Sequence, residues 1–239
     1  MKRTIGLMTL AFLAGSLFTA DSSPKDDIKN AAKKLAEAGG YSWKSTVEVT
    51  TGRGAGVTEG KMGKDGTTEL SLKRGDNTTE AVLKGDKGAI KSEDGWKSLA
   101  EAGEDQGGQQ NRGRFVARML RTFKGPAAEA EDLLAKAKEI KKADDVYSAD
   151  LSEEGIKELL TRGPRRGGGT PPTPKETKGS VKFWIKDGAL SKYESNVQGK
   201  MTVGQDEREV EINRTTTVEI KDVGTTTVVV PEEAKQKLS

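Results

Sequence analysis

The chain has 239 residues, room for one sizeable domain or two small ones. Charged residues make up 32% of it and hydrophobic residues 33%, so the core is lean and many strand faces must be wet. It contains no cysteine and no histidine, which excludes disulfides, a lipid-modified N-terminal cysteine, thiolate or imidazole metal sites, and the usual nucleophile–base pairs.

Met1–Ala20 has the three parts of an export signal: Lys2 and Arg3, an apolar run around Ile5–Leu13, and a small-residue end at Ala14–Ala20. The run is shorter than the roughly 20 residues a membrane-spanning helix needs. Removing the signal lowers the formal charge from +3 to +1, and so near-balanced a chain gives a nucleic-acid partner no support. The expected location is the periplasm or the extracellular space, with no lipid anchor through cysteine.

After a short linker, Asp21–Pro24, the steps of Ile28, Ala31, Ala32 and Leu35 predict a helix over Lys25–Ala38, ended by Gly39–Gly40. Tyr41–Val49 alternates strictly, with Tyr41, Trp43, Ser45, Val47 and Val49 on one face, as in a half-buried antiparallel strand. Short strands are predicted at Val57–Gly63, Thr67–Arg74, Thr78–Lys84 and Gly88–Ser92, separated by Gly and Asp/Asn turns, with Trp96 folding back onto the sheet. Arg74-Gly75-Asp76 falls where a hairpin turn belongs and is read as turn chemistry.

Gly103–Gly113 reads as a polar loop. A helix over Arg114–Phe123 is expected to put Phe115, Val116, Met119, Leu120 and Phe123 on one face and Arg114, Arg118 and Arg121 on the other. A second helix, Ala127–Lys141, follows Gly125-Pro126; then come a strand at Asp145–Leu151 and a helix from Ser152 to Leu160. Arg162–Lys178 is a Pro/Gly-rich low-complexity loop.

The sharpest alternation lies in Gly179–Pro231. Val181, Phe183 and Ile185 share a face, as do Tyr193, Ser195, Val197, Gly199, Met201 and Val203. After a turn at Gly204–Glu207 the inner set becomes Val210, Ile212, Arg214, Thr216, Val218 and Ile220. A last strand at Thr225–Val230 and a tail helix at Glu232–Leu238 complete the chain. The whole fits an α+β domain over 21–239, with a helical insert at about 114–162 and a flexible loop at 163–178.

Three pieces, Tyr41-Ser42-Trp43, Val181–Lys192 (V-x-F-W-I-x-x-G-x-L-x-K) and Val228–Ala234 (V-x-V-P-E-E-A), stand in an order that resembles one group of proteins. These are the periplasmic carriers that include the lipoprotein carrier LolA and the mycobacterial lipid-binding lipoproteins of the LppX type. The resemblance implies an unclosed β-barrel: a strongly curved antiparallel sheet whose apolar concave face is covered by helices. It implies a lipid or a lipidated protein as partner and no cofactor. The candidate ligand lining is Trp43, Val47, Leu70, Leu72, Phe183, Tyr193, Val197, Met201 and Ile212. Phe115, Met119, Arg114, Arg118 and Arg121 are the candidate lid, with weak membrane-surface contact. No catalytic or metal-ligating set is expected. The alternative is an envelope scaffold or interaction module of the same fold, its core filled by side chains.

Overall fold

The computed structural model describes residues 23–50, 54–104, 110–161, 173–203 and 208–238. The expected signal at 1–20, the turn at 204–207 and positions 162–172 of the expected loop lie outside the described residues. Helix α1 (Pro24–Ala36) begins where the Ser23 hydroxyl accepts from the Asp26 amide, and it buries Ile28, Ala31, Ala32 and Leu35. Strands β1 (Gly40–Val49), β2 (Gly56–Gly63), β3 (Thr68–Arg74), β4 (Asn77–Lys84), β5 (Lys87–Ser92) and β6 (Gly95–Ser98) then meander. Helices α2 (Leu99–Glu104), α3 (Gln110–Arg121) and α4 (Pro126–Lys136) follow. After β7 (Lys141–Ala143), β8 (Val146–Asp150) and α5 (Glu153–Thr161) come the long strands β9 (Lys175–Lys186), β10 (Ala189–Val203) and β11 (Arg208–Lys221). Helix α6 (Glu232–Lys237) is last.

The described strands form one antiparallel sheet in the order β6-β5-β4-β3-β2-β1-β11-β10-β9-β8-β7. Its edges, β6 and β7, do not pair, so the barrel is unclosed. One continuous core runs from Ile90 on β5 through the helices to Tyr147 on β8, which requires the sheet to curl around them. The fold is therefore α+β, a strongly curved antiparallel sheet with helices on its concave face. The expected parity holds along the centre, where Phe183 faces Tyr193, Tyr193 faces Val218, and Trp43 faces Ile220 and Gly60.

Gly60 is a packing requirement. The Trp43 indole lies across it, and a Cβ there would come within 2.1 Å of the ring. Gly60→Ala is therefore expected to destabilise by about 1–3 kcal/mol through overpacking. A chemical denaturation midpoint unchanged from the parent would contradict this placement.

Several expected elements differ, each for a nonlocal reason. The helix expected over Ala127–Lys141 stops at Lys136, because Ala137 bridges to Leu151 and the Lys138 amide donates to the Asp150 carbonyl. The polar loop expected at Gly103–Gly113 is helical at both ends, in α2 and α3. Trp96 belongs to a sixth strand, β6, paired to β5. Lys175–Lys178, assigned to the Pro/Gly loop, already pairs with β10 as the start of β9. The helical insert contributes strands of its own, β7 and β8, to the sheet.

Thr225–Val230, read as a strand, has no ladder partner. Both neighbours of β11 are already β1 and β10, and Asp222 and Gly224 at positive φ turn the chain away. This segment instead runs under the sheet to α6, and Val230, Ala234 and Leu238 pack with Val82, Ala89 and Trp96 on the outer face. Lys237 of α6 reaches Glu101 of α2 at 2.8 Å, tying the two faces together around β6. That ion pair and the Ser98 amide hold the Glu101 carboxyl down at about 2.

Candidate functional site

The inner face of the sheet is a trough with two unlike halves. At one end Tyr41, Trp43, Leu70, Phe183, Tyr193, Val218 and Ile220 are buried against one another and the helices. Tyr193 exposes 0% of its surface and Phe183 1%, so neither borders a void that would admit water. The helices rest on the flanks: α1, α4 and α5 approach β9 and β10, while α2 and α3 approach β5 and β6. Large side chains fill the span between, with Trp43 stacked on Phe123 at 6.2 Å and tilted against Tyr41 at 5.7 Å.

All three tyrosines of the chain lie on this inner face and turn their hydroxyls to helices. Tyr147 donates to Asp27 of α1 at 2.8 Å, and Tyr193 donates to Glu129 of α4 at 2.6 Å. Tyr41 is hydrogen-bonded to the backbone of Ala127 at the start of α4. Burial pushes the Tyr41 phenol up to about 12, partly offset by that bond. Burial, then the charge of Glu129, raises Tyr193 well above the ordinary tyrosine value. These carboxylate anchors were missed in the sequence. Their signal is an acid beside a buried stripe, Asp27 next to Ile28 and Glu129 next to Ala130. Among the described residues, every buried side-chain polar atom has a hydrogen-bond partner.

At the other end the same face is half-open. Ser45, Val47 and Val49 of β1, Thr58 of β2, and Ile212 and Thr216 of β11 are only partly buried. Arg214 sits among them, paired across strands with Val49 and Val197, and its guanidinium donates to the Leu159 carbonyl at 2.6 Å. The end is thus an apolar floor with hydroxyls and one guanidinium set into it. Beside it Leu160 rests directly on Gly199, where a Cβ would come within 2.8 Å of the leucine methyl.

Of the expected lining, the structure brings all nine residues to the inner face. Trp43, Leu70, Leu72, Phe183, Tyr193, Val197 and Met201 are buried there, and Val47 and Ile212 stand in the half-open part. Helix α3, the expected lid, is rotated from the expected setting. Its buried residues are Val116, Ala117 and Leu120; Met119 is half-buried and Phe115 is 43% exposed, on the same side as Arg114 and Arg118. Arg121 donates to the Leu99 carbonyl at 3.0 Å and so joins α3 to α2. Among the described residues no group of three or more acidic side chains is placed to hold a metal ion, and no helix is long and apolar enough to cross a membrane.

No protein-family model matches the sequence, and no curated protein matches it. The structure is similar to that of the lipoprotein LppX of Mycobacterium tuberculosis, with a TM-score of 0.45 and 11% identity over 87% of this chain and 98% of that one. It is also similar to LprF of Mycobacterium bovis (TM-score 0.43, 11% identity, 88% and 97% of the two chains). A LolA superfamily protein of Nitrosomonas europaea gives a TM-score of 0.32 and 7% identity over 87% and 96%. Both groups named by the sequence resemblance, the LppX type and the LolA superfamily, stand among these structures. Likeness of this degree concerns the path of the chain and says nothing of what it holds.

Proposed function

We propose that this chain is an exported, non-enzymatic binding module that holds an amphipathic, lipid-like ligand at the half-open end of its trough. The observation that supports this reading is the inner face itself. It continues as partly exposed apolar surface past the filled core, through Val47, Val49 and Ile212, with α5 reaching its border where the Leu159 carbonyl meets Arg214. Arg214 within that surface favours a ligand with an acidic head over plain hydrocarbon, because a guanidinium forms strong charge-assisted hydrogen bonds with carboxylate or phosphate. In this reading Trp43, Leu70, Leu72, Phe183, Tyr193, Val197 and Met201 form the floor and inner wall. Helix α3, with the half-buried Met119 packed against the core, is the lid whose movement lengthens the cavity. The export signal at Met1–Ala20 would place the module in the periplasm or outside the cell.

A long-chain fatty acid or lysophospholipid, added at about 100 times its dissociation constant, should stabilise the folded chain by about 2.7 kcal/mol. For a domain of this size that is a rise of roughly 5–10 °C in melting temperature. Absence of any shift with either probe, together with no lipid in organic extracts of protein taken from its own envelope, would sink the binding reading. The second reading, a scaffold or interaction module of the same fold, is favoured by one observation, the full burial of Leu70, Phe183 and Tyr193. It predicts that no apolar probe changes the melting temperature.

A further inference from the structure

The rotation of α3 puts an aromatic ring where the sequence pattern would not. Phe115 is a large side chain 43% exposed to water, and Arg114 and Arg118 stand beside it on the same exposed side of the helix. Over its whole length, QNRGRFVARMLR, α3 carries four arginines and no acidic residue. On the adjoining α2, Glu101 is engaged by Lys237 at 2.8 Å, and Glu104 is exposed. The opposite side of α3 is fixed to the body of the protein by Val116, Ala117 and Leu120, and Arg121 holds α2 through the Leu99 carbonyl. The outer side is therefore an arginine-rich face with an apolar ring at its centre, on which Arg118 already has a partner within the protein that a phosphate would share or replace. Its charge is complementary to an anionic surface, and its exposed ring gains energy only where that surface has an apolar layer beneath the charge.

We propose that the outer face of α3 docks on an anionic lipid surface, with Phe115 inserted below the headgroups and Arg114 and Arg118 against their phosphates. Docking of this kind does not require the trough to hold a ligand. Each arginine near an anionic bilayer strengthens binding several-fold, and a partly inserted phenyl ring adds about another tenfold.

The test is sedimentation of the full chain with vesicles of phosphatidylcholine alone and of phosphatidylcholine mixed with phosphatidylglycerol, at low and at physiological salt. Three variants accompany it: Phe115→Ser, Arg114→Gln with Arg118→Gln, and Lys29→Gln on the exposed side of α1 as a charge control. Met1–Ala20 is common to every variant, and any binding it gives to phosphatidylcholine vesicles is the floor above which the phosphatidylglycerol-dependent part is read. The expected result is binding to the phosphatidylglycerol vesicles that weakens with salt. It should fall about tenfold in Phe115→Ser and about thirtyfold in the double arginine variant, and stay unchanged in Lys29→Gln. Equal binding to both kinds of vesicle, or a fall in Lys29→Gln as large as in the arginine variant, overturns the proposal. Absence of binding by the parent chain also overturns it and leaves the arginine face to an acidic protein surface. Circular dichroism melts of each variant separate a lost surface contact from a lost fold. Probe uptake by the trough, followed in the same samples, keeps a failure of docking distinct from a failure of ligand binding.

Discussion

Trp43→Ala is expected to lower folding stability by about 3–5 kcal/mol, the cost of removing a buried aromatic from a packed core. The indole covers Gly60, stacks on Phe123 just beyond α3, and supports Tyr41. Its removal leaves a hole between β1, β2 and the end of α3 that none of these elements can fill by moving alone. Urea denaturation should show a lower midpoint with an unchanged slope, since the surface exposed on unfolding hardly alters. A loss below about 1 kcal/mol would mean that Trp43 lines open space, and the division of the trough into a filled half and a half-open half would be wrong.

Alkaline pH should unfold the protein through its inward tyrosines. Tyr41 and Tyr193 both have folded-state pKa values above the ordinary 10.0. Stability from their neutral forms is complete below about pH 10 and is lost as pH rises toward 12 and beyond, where the unfolded chain ionises them freely. The shift at Tyr41 alone corresponds to about 3 kcal/mol at the high end of that range, and Tyr193 adds in the same direction. Phenolate absorbance assigned to these two residues should therefore rise together with the loss of far-ultraviolet ellipticity. Tyr193→Phe should shrink the coupled step. Complete ionisation ahead of any loss of structure would show the hydroxyls to be in water, contrary to the bonds with Glu129 and Ala127.

The strands were legible because a period of two is read over few residues. Tyr193 to Val203 and Val210 to Ile220 keep their parity throughout, and the structure pairs them accordingly. The elements that escaped were decided by partners far along the chain. Ile140 continues a helical spacing, but the bridge from Ala137 to Leu151 draws the chain out of α4 before it. Thr225–Val230 is rich in β-branched residues, yet its nearest strand has no free side. In α3 the spacing gave Phe115 and Val116 equal claim to the core. Ala117 decided the matter, because a small residue lets the helix lie close to its neighbours and turns Phe115 outward. The candidate lining followed from parity alone. Which half of it the helices fill depended on where the helices settle, and local periodicity does not carry that information.

The central seam of the sheet joins β1 to β11, and Ser42 is opposite Lys221, 179 positions later. On either side of the seam the meanders β1 to β6 and β7 to β11 pair mostly between neighbours in sequence. Each half can form as soon as its own hairpins exist, whereas joining them must close almost the whole chain into a loop. The assembly step therefore carries the highest contact order in the molecule and is the natural slow step of its folding. Until β11 is in place, the long side of β1 stands open as an unpaired strand edge, the kind of template that invites aggregation.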